Sequence, residues 1–232
     1  AIAKSGANGL MDPVDSGYAC GSDTAHMSIF SYDPLKFYRG RGAFESLGAG
    51  IVLERGDLAF KCNLGFMDPE TKVVKKRRCD RHFHHWGLSM TDEIFADIKI
   101  PGYEEYQVQI LHATEHRFGI RIRGPNLCDK VSGTDPYHDN KVLYTCEPTE
   151  NGNENAIQTC NVVNALTEYL HKKLADHPIN LSRREQGLPE GNIFMMRGAG
   201  EKLDVNSFEE RKNLRGFMIA PTAIIRGVGV SF

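Results

Sequence analysis

The 232-residue chain has no closely spaced cysteines. Its six, Cys20, Cys62, Cys79, Cys128, Cys146 and Cys160, come no nearer than fourteen positions, the separation of the last two, and C-x-x-C is absent. That spacing argues against a structural zinc site and against a small disulfide-stapled fold. Free and mostly buried thiols in a reducing compartment are expected instead. No apolar run is long enough to span a bilayer, and Ala1–Ala7 lacks the apolar segment of a signal peptide. A soluble cytoplasmic protein with no membrane partner is therefore expected. Charge of one sign is also missing: the net charge is −2. This excludes a globally basic nucleic-acid binder but leaves room for a local basic pocket. There are no internal repeats and no low-complexity tract.

What remains is ordinary globular material, 41% apolar and 25% charged, enough for one large domain or two modest ones. The chain begins without Met and ends on Gly229-Val230-Ser231-Phe232, which reads as an incomplete strand, so a piece of a longer chain is expected. Asp57–Phe66 alternates like a strand, with Thr71–Cys79 pairing back on it. Tyr106–Ala113 and Arg117–Arg123 read as a hairpin, with Phe118, Ile120 and Ile122 on one face. Ala156–Ala175 is the best helix, with Val163, Leu166, Leu170 and Leu174 as its apolar stripe. Asn192–Met196 and Gly216–Pro221 read as strands. Helices and strands interleave, which gives an α/β or α+β class.

The stretch Ala19–Phe30 concentrates candidate chemistry. Gly21 lets a ligand approach Ser22, and Ser22, Asp23 and Thr24 precede the apolar residues of a short helix. Ser22 would sit at the positive end of that helix, where unpaired amides favour a phosphate or an oxyanion, with His26 one turn along. The plain alternative is that Ser22 is a cap. Phe37–Gly50 holds Arg39 and Arg41 among glycines, either reaching for an anion or solvated on a loop. Lys75-Lys76-Arg77-Arg78 and Arg81, near Phe83 and Trp86, can grip nucleic-acid phosphates, grip a small phosphorylated or carboxylated substrate, or form a solvated strand end. The acidic net charge speaks against nucleic acid. His82, His84 and His85 have no partner at ligand spacing. His112 and His116 fall in a hairpin, where four residues do not bring them together as a helix would. His116-Arg117 at a turn is either an anion-contacting pair or surface decoration. Asp129 and Asp135 lie in one structured loop, for acid–base work or for Asx turns.

Together these segments resemble the archaeal-type 2,3-bisphosphoglycerate-independent phosphoglycerate mutases of the alkaline-phosphatase-like superfamily. The runs that carry the resemblance include Gly21-Ser22-Asp23-Thr24-Ala25-His26, Tyr32-Asp33-Pro34, Gly40-Arg41-Gly42, Glu45–Gly50, Phe60-Lys61-Cys62-Asn63, Arg77-Arg78, His116-Arg117, Thr134-Asp135-Pro136 and Arg197-Gly198-Ala199-Gly200. The resemblance implies that Ser22 is both nucleophile and metal ligand. It implies that Arg41, Lys61, Asn63, Arg78, Arg81, His116, Arg117 and Asp135 bind a phosphoglycerate, and that two divalent ions (manganese, zinc, cobalt or magnesium) serve the complete enzyme. The reaction implied interconverts 3- and 2-phosphoglycerate through a phosphoserine. The alternatives are a phosphatase or phosphotransferase of the same superfamily, or a non-catalytic anion-binding module. The fold implied is α/β: an incomplete alkaline-phosphatase-like core from 1–38 and 205–232, interrupted by an α+β substrate domain at 39–204. The family's other metal ligands fall on neither side of Ser22 in this sequence, so the chain alone is expected not to be a competent mutase. Lys61 stands where the family commonly has Arg, and Ser31 where it commonly has Gly.

Overall fold

The structure, a computed structural model, describes residues 1–232. Nine helices are present: α1 (Ile2–Ser5), α2 (Ser22–Ile29), α3 (Pro34–Phe37), α4 (Arg41–Gly48), α5 (Leu88–Phe95), α6 (Glu154–Ala175), α7 (Pro178–Glu185), α8 (Phe208–Lys212) and α9 (Ala223–Ser231). Six strands accompany them: β1 (Leu58–Met67), β2 (Val73–Lys76), β3 (Gln107–Thr114), β4 (Arg117–Arg123), β5 (Lys141–Val142) and β6 (Ile193–Gly200). They form one antiparallel sheet in the order β3-β4-β1-β2-β5, with β6 also paired to β1.

Period-two alternation along β1 organises the molecule. Leu58, Phe60, Cys62 and Leu64 join Phe118, Ile120, Phe194 and Met196 in the main core, beneath Val163, Leu166 and Leu170 of α6. Ala59, Lys61 and Asn63 point to the opposite face, which α4 covers. Gly42 of α4 lies so close to the Ala59 carbonyl that a methyl there would overlap it. α9 packs across α4, and a second small core joins Met27, Tyr32 and Phe44 to Leu203, Ile224 and Val228.

Several expectations are corrected. Gly216–Pro221 is not a strand, and its Phe217 and Ile219 are largely exposed. Gly229–Ser231 is no strand remnant but the last turn of α9, so its 3.6-residue period, not alternation, sets which residues are buried. β6 runs on through Gly200, because Ala59 pairs with Gly200 across a register shift. α5 and α7 were missed as helices. α7 starts directly at Pro178, suited to the first helical position, with His177 as its N-cap.

Candidate active site

Ser22 is the first residue of α2, not its cap. Gly21 is the N-cap, and its amide donates to Thr24 Oγ1 at 3.0 Å. Thr24 thus does the capping and leaves Ser22 exposed at the helix start. The helix ends by a 6→1 bond from Tyr32 N to Met27 O and a 5→2 bond from Ser31 N to Ser28 O. That termination puts Ser31 at φ +65°, the left-handed position glycine normally fills. Behind Ser22, the Tyr38 hydroxyl donates to Asp23 Oδ2 at 2.8 Å. Burial, and next the Asp23 charge, push the Tyr38 hydroxyl well above its usual range.

Ser22 opens onto a cavity of about 270 Å3. The sheet supplies Lys61 and Asn63 from β1, Arg117 from β4 and Arg197 from β6. Register brings these together: Lys61 is paired with Arg197, and Asn63 with Arg117. Like charges directly opposite on a sheet cost about 0.2–1 kcal/mol, so such a pairing persists only where other groups offset it. Two carboxylates do so. Glu45 of α4 reaches Lys61 Nζ at 2.9 Å and Arg41 Nε at 3.5 Å. Asp135 accepts two bonds of 2.6 Å from Arg77 and lies 3.2 Å from Arg197 Nε. Arg41, Arg77 and Arg78 complete the positive lining, so six cations face the cavity. Burial lowers the Lys61 pKa, and Glu45 opposes that loss of charge.

Arg41, Lys61, Asn63, Arg78, His116 and Arg117 thus converge with Ser22 on one cavity. Two predicted site residues do not line it. Arg81 is exposed and lies outside the lining. Asp135 sits behind Arg77 and Arg197 with its side chain fully buried, where it holds those guanidiniums in place. Its loop is pinned to β6 by the Thr134 and Asp135 amides on Met196 O and by Met196 N on Thr134 Oγ1. Arg77, Arg197 and Glu45 were missed as site residues. All three fall inside runs that carry the family resemblance, and sheet alternation would have put Arg197 on the Lys61 face. The cavity holds unpartnered polar atoms: Asn63 Oδ1, His116 Nδ1 and Thr222 Oγ1, with Arg41 Nε and Arg197 Nε held only by the ion pairs above.

His116 closes the tight β3–β4 turn, beside Glu115 at φ +54°. His112 Nε2 lies 2.6 Å from Glu115 O and stacks on Phe83, so its part is to hold this turn. Burial, then the charges of Arg117, Arg78, Lys61 and Arg77, lower the His116 pKa from 6.5 to about 3. In the unfolded chain the ring takes a proton near 6.5, so this residue withdraws stability as pH falls through 6.5 towards 3. An anion held beside these four cations offsets their part of the lowering, though not the part due to burial, and so raises the proton affinity of the ring. At pH 6, anion binding should therefore be accompanied by net proton uptake, seen as a heat of binding that varies with buffer ionisation enthalpy. His116→Gln should remove that dependence. Uptake persisting in His116→Gln would assign the proton elsewhere.

Comparison with known proteins fits this geometry. A sequence model of the family described as 2,3-bisphosphoglycerate-independent phosphoglycerate mutase matches residues 3–180. The chain belongs to this family. The mutase named 2,3-bisphosphoglycerate-independent phosphoglycerate mutase 1 of Methanothermobacter thermautotrophicus is 38% identical over 228 residues, which are 98% of this chain and 55% of that enzyme. The one of Archaeoglobus fulgidus is 38% identical over 231 residues, again 55% of its length. The solved cofactor-independent phosphoglycerate mutase of Thermoplasma acidophilum superposes with a TM-score of 0.67 at 30% identity, covering 91% of this chain and 55% of that one. The chain thus spans about half the length of the relatives it matches.

The two divalent ions implied by the resemblance need a donor set around Ser22. Asp23 there is engaged by Tyr38, and His26 Nδ1 lies 2.6 Å from Ser22 O. No group of three or more His, Cys, Asp or Glu side chains in the chain could hold a metal ion. The residues present therefore do not fit a di-metal site, and the six-cation cavity repels a divalent cation. No helix of the structure is long and apolar enough to cross a membrane.

Proposed function

We propose that this cavity binds a phosphoglycerate and presents its phosphoryl group to Ser22, as one part of a bisphosphoglycerate-independent phosphoglycerate mutase. The observation that carries this is the meeting of Ser22, at a helix start, with six cationic side chains on one cavity of about 270 Å3. That volume is at the small end for ligand sites and suits a compact metabolite, not a nucleic-acid strand. Against the carboxylates of Glu45 and Asp135 the lining keeps four positive charges in excess. A phosphoglycerate brings one carboxylate and a phosphate of about −1.5 to −2, so charge is matched without a large remainder.

In the reaction proposed, Ser22 Oγ forms a bond to phosphorus as the bond from phosphorus to the 3-oxygen of glycerate breaks. The proton from Ser22 ends on that 3-oxygen. Glycerate turns while its carboxylate is held by the arginine forks, and its 2-oxygen then takes the phosphoryl group from Ser22, returning a proton to it. Atoms balance and no other reactant enters. Since the donor set here does not hold a di-metal site, the 232-residue chain should bind substrate without turning it over. Measurable mutase turnover by it in added manganese or zinc would overturn that statement. The division into core segments 1–38 and 205–232 of alkaline-phosphatase-like type, with a substrate domain between, is part of the same proposal. Met27 and Tyr32 of the first segment pack with Ile224 and Val228 of the second in the small core, which supports it; Phe44 and Leu203 of the intervening domain dock onto the same core.

Calorimetry with 3-phosphoglycerate tests the binding half. Arg78→Lys and Arg117→Lys should each weaken binding roughly tenfold, since the charge stays but the planar fork is lost. Unchanged affinity in both, or equal affinity for an oligonucleotide, would sink the reading. In a chain that turns over, release of free phosphate in place of 2-phosphoglycerate would point to a phosphatase.

A further inference from the structure

We propose that Thr222 and the first turn of α9 form the phosphate-oxygen contact of this cavity. The proposal rests on reading the cavity as a phosphoglycerate site. α9 has nine residues, and Thr222 is its N-cap by backbone, extended at φ −112° and ψ 142°. A threonine that merely caps accepts a bond from an amide two or three residues on. Thr222 makes no such bond, and its Oγ1 is buried without any partner. Thr222 O accepts from Arg226 N at 3.1 Å, so the helical ladder starts there. The amides of Ala223, Ile224 and Ile225 therefore have no partner within the helix. These three residues and Thr222 all line the cavity that Ser22 lines.

Independent side chains in the same cavity also await a ligand. Asn63 is 4% exposed and His116 2% exposed; the unpartnered Asn63 Oδ1 is an acceptor that suits a glycerate hydroxyl, and the unbonded His116 Nδ1, 3.8 Å from Glu115 Oε2, can donate to an anion oxygen when it carries a proton. Position favours the phosphate end over the carboxylate end. Free amides and one hydroxyl at a positive helix terminus suit the several oxygens of a tetrahedral dianion. The guanidinium forks of the sheet face match a planar carboxylate. α2 packs against α9, and Ser22 at the start of one and Thr222 at the start of the other line the same cavity.

The test uses the 232-residue chain with two probes, inorganic phosphate and glycerate, titrated by calorimetry. Thr222→Val keeps the side-chain shape and removes the hydroxyl. It should weaken phosphate binding about tenfold, the loss of one hydrogen bond to a charged group, and change glycerate binding less than about twofold. Thr222→Ser should keep phosphate affinity near that of the parent. Retained glycerate binding shows that Thr222→Val has folded. Unaltered phosphate binding in Thr222→Val overturns the inference, as does equal loss of both probes, or a loss in Thr222→Ser as large as in Thr222→Val. Phosphate and 3-phosphoglycerate binding that ignore Arg78→Lys and Arg117→Lys as well would overturn the cavity reading itself, a separate outcome.

Discussion

Ser22→Ala should remove phosphoryl transfer almost completely and leave substrate binding nearly intact. In a form of the enzyme that turns over 3-phosphoglycerate, the rate should fall by about 10^3-fold or more, because no neighbouring group can take the nucleophile's place. Thr24 is the nearest other hydroxyl along the chain, but it is held by the Gly21 amide and faces the Gly21 and Ala19 carbonyls, and Thr222 is placed to hold a phosphate oxygen, not to attack phosphorus. Asp23 is buried beneath Tyr38. Binding of 3-phosphoglycerate to the 232-residue chain should change less than about threefold, since the arginines and Lys61 supply most of the attraction. Mass spectrometry of protein quenched during turnover should find the phosphoryl group on the peptide containing Ser22. Activity of Ser22→Ala within tenfold of the parent, or phosphorylation at another residue, would overturn the assignment.

The second large effect is on stability. α4 and α9 cross with their backbones in contact at two reciprocal glycines. A methyl on Gly48 would fall on the Ala223 carbonyl, and a methyl on Gly227 on the Phe44 carbonyl. Neither obstacle is a side chain that can swing away, so the helices themselves must separate. Gly227→Val should cost about 3 kcal/mol by overpacking. For a chain of this size that lowers Tm by about 10 °C. Because α9 carries Thr222, phosphate affinity should fall in the same variant. Gly9→Ala, where nothing lies within 4 Å, is the control and should leave Tm nearly unchanged. A shift of less than about 2 °C in Gly227→Val would show that the crossing is looser than its geometry implies.

Much of the architecture was legible because periodicity reports burial directly. Alternation of apolar residues defined β1 and β4, and the stripe Val163, Leu166, Leu170 and Leu174 defined α6; all of these stripe residues are buried. The errors cluster where local patterns are ambiguous. Gly229-Val230-Ser231 and Gly216–Pro221 are short apolar stretches with glycine, which fit a strand as well as a helix or an irregular segment. Only the crossing with α4 requires glycine at 227, and that crossing is not local.

The sequence by itself determined the chemical inventory: Ser22 before a helix, paired arginines, His116 at a turn, and runs characteristic of one family. It could not determine which cations share a cavity, since that depends on strand register. Register placed Arg197 beside Lys61 and Arg117 beside Asn63, although each pair is separated by more than fifty positions in the chain. Loop contacts put Asp135 behind the wall, and Arg81 lies outside it. Tertiary structure likewise decided that Thr222 faces Ser22's cavity, because two distant helices pack through glycines that permit backbone contact. Local sequence fixes what a residue can do, and the long-range pairing of strands and helices fixes what it does it with.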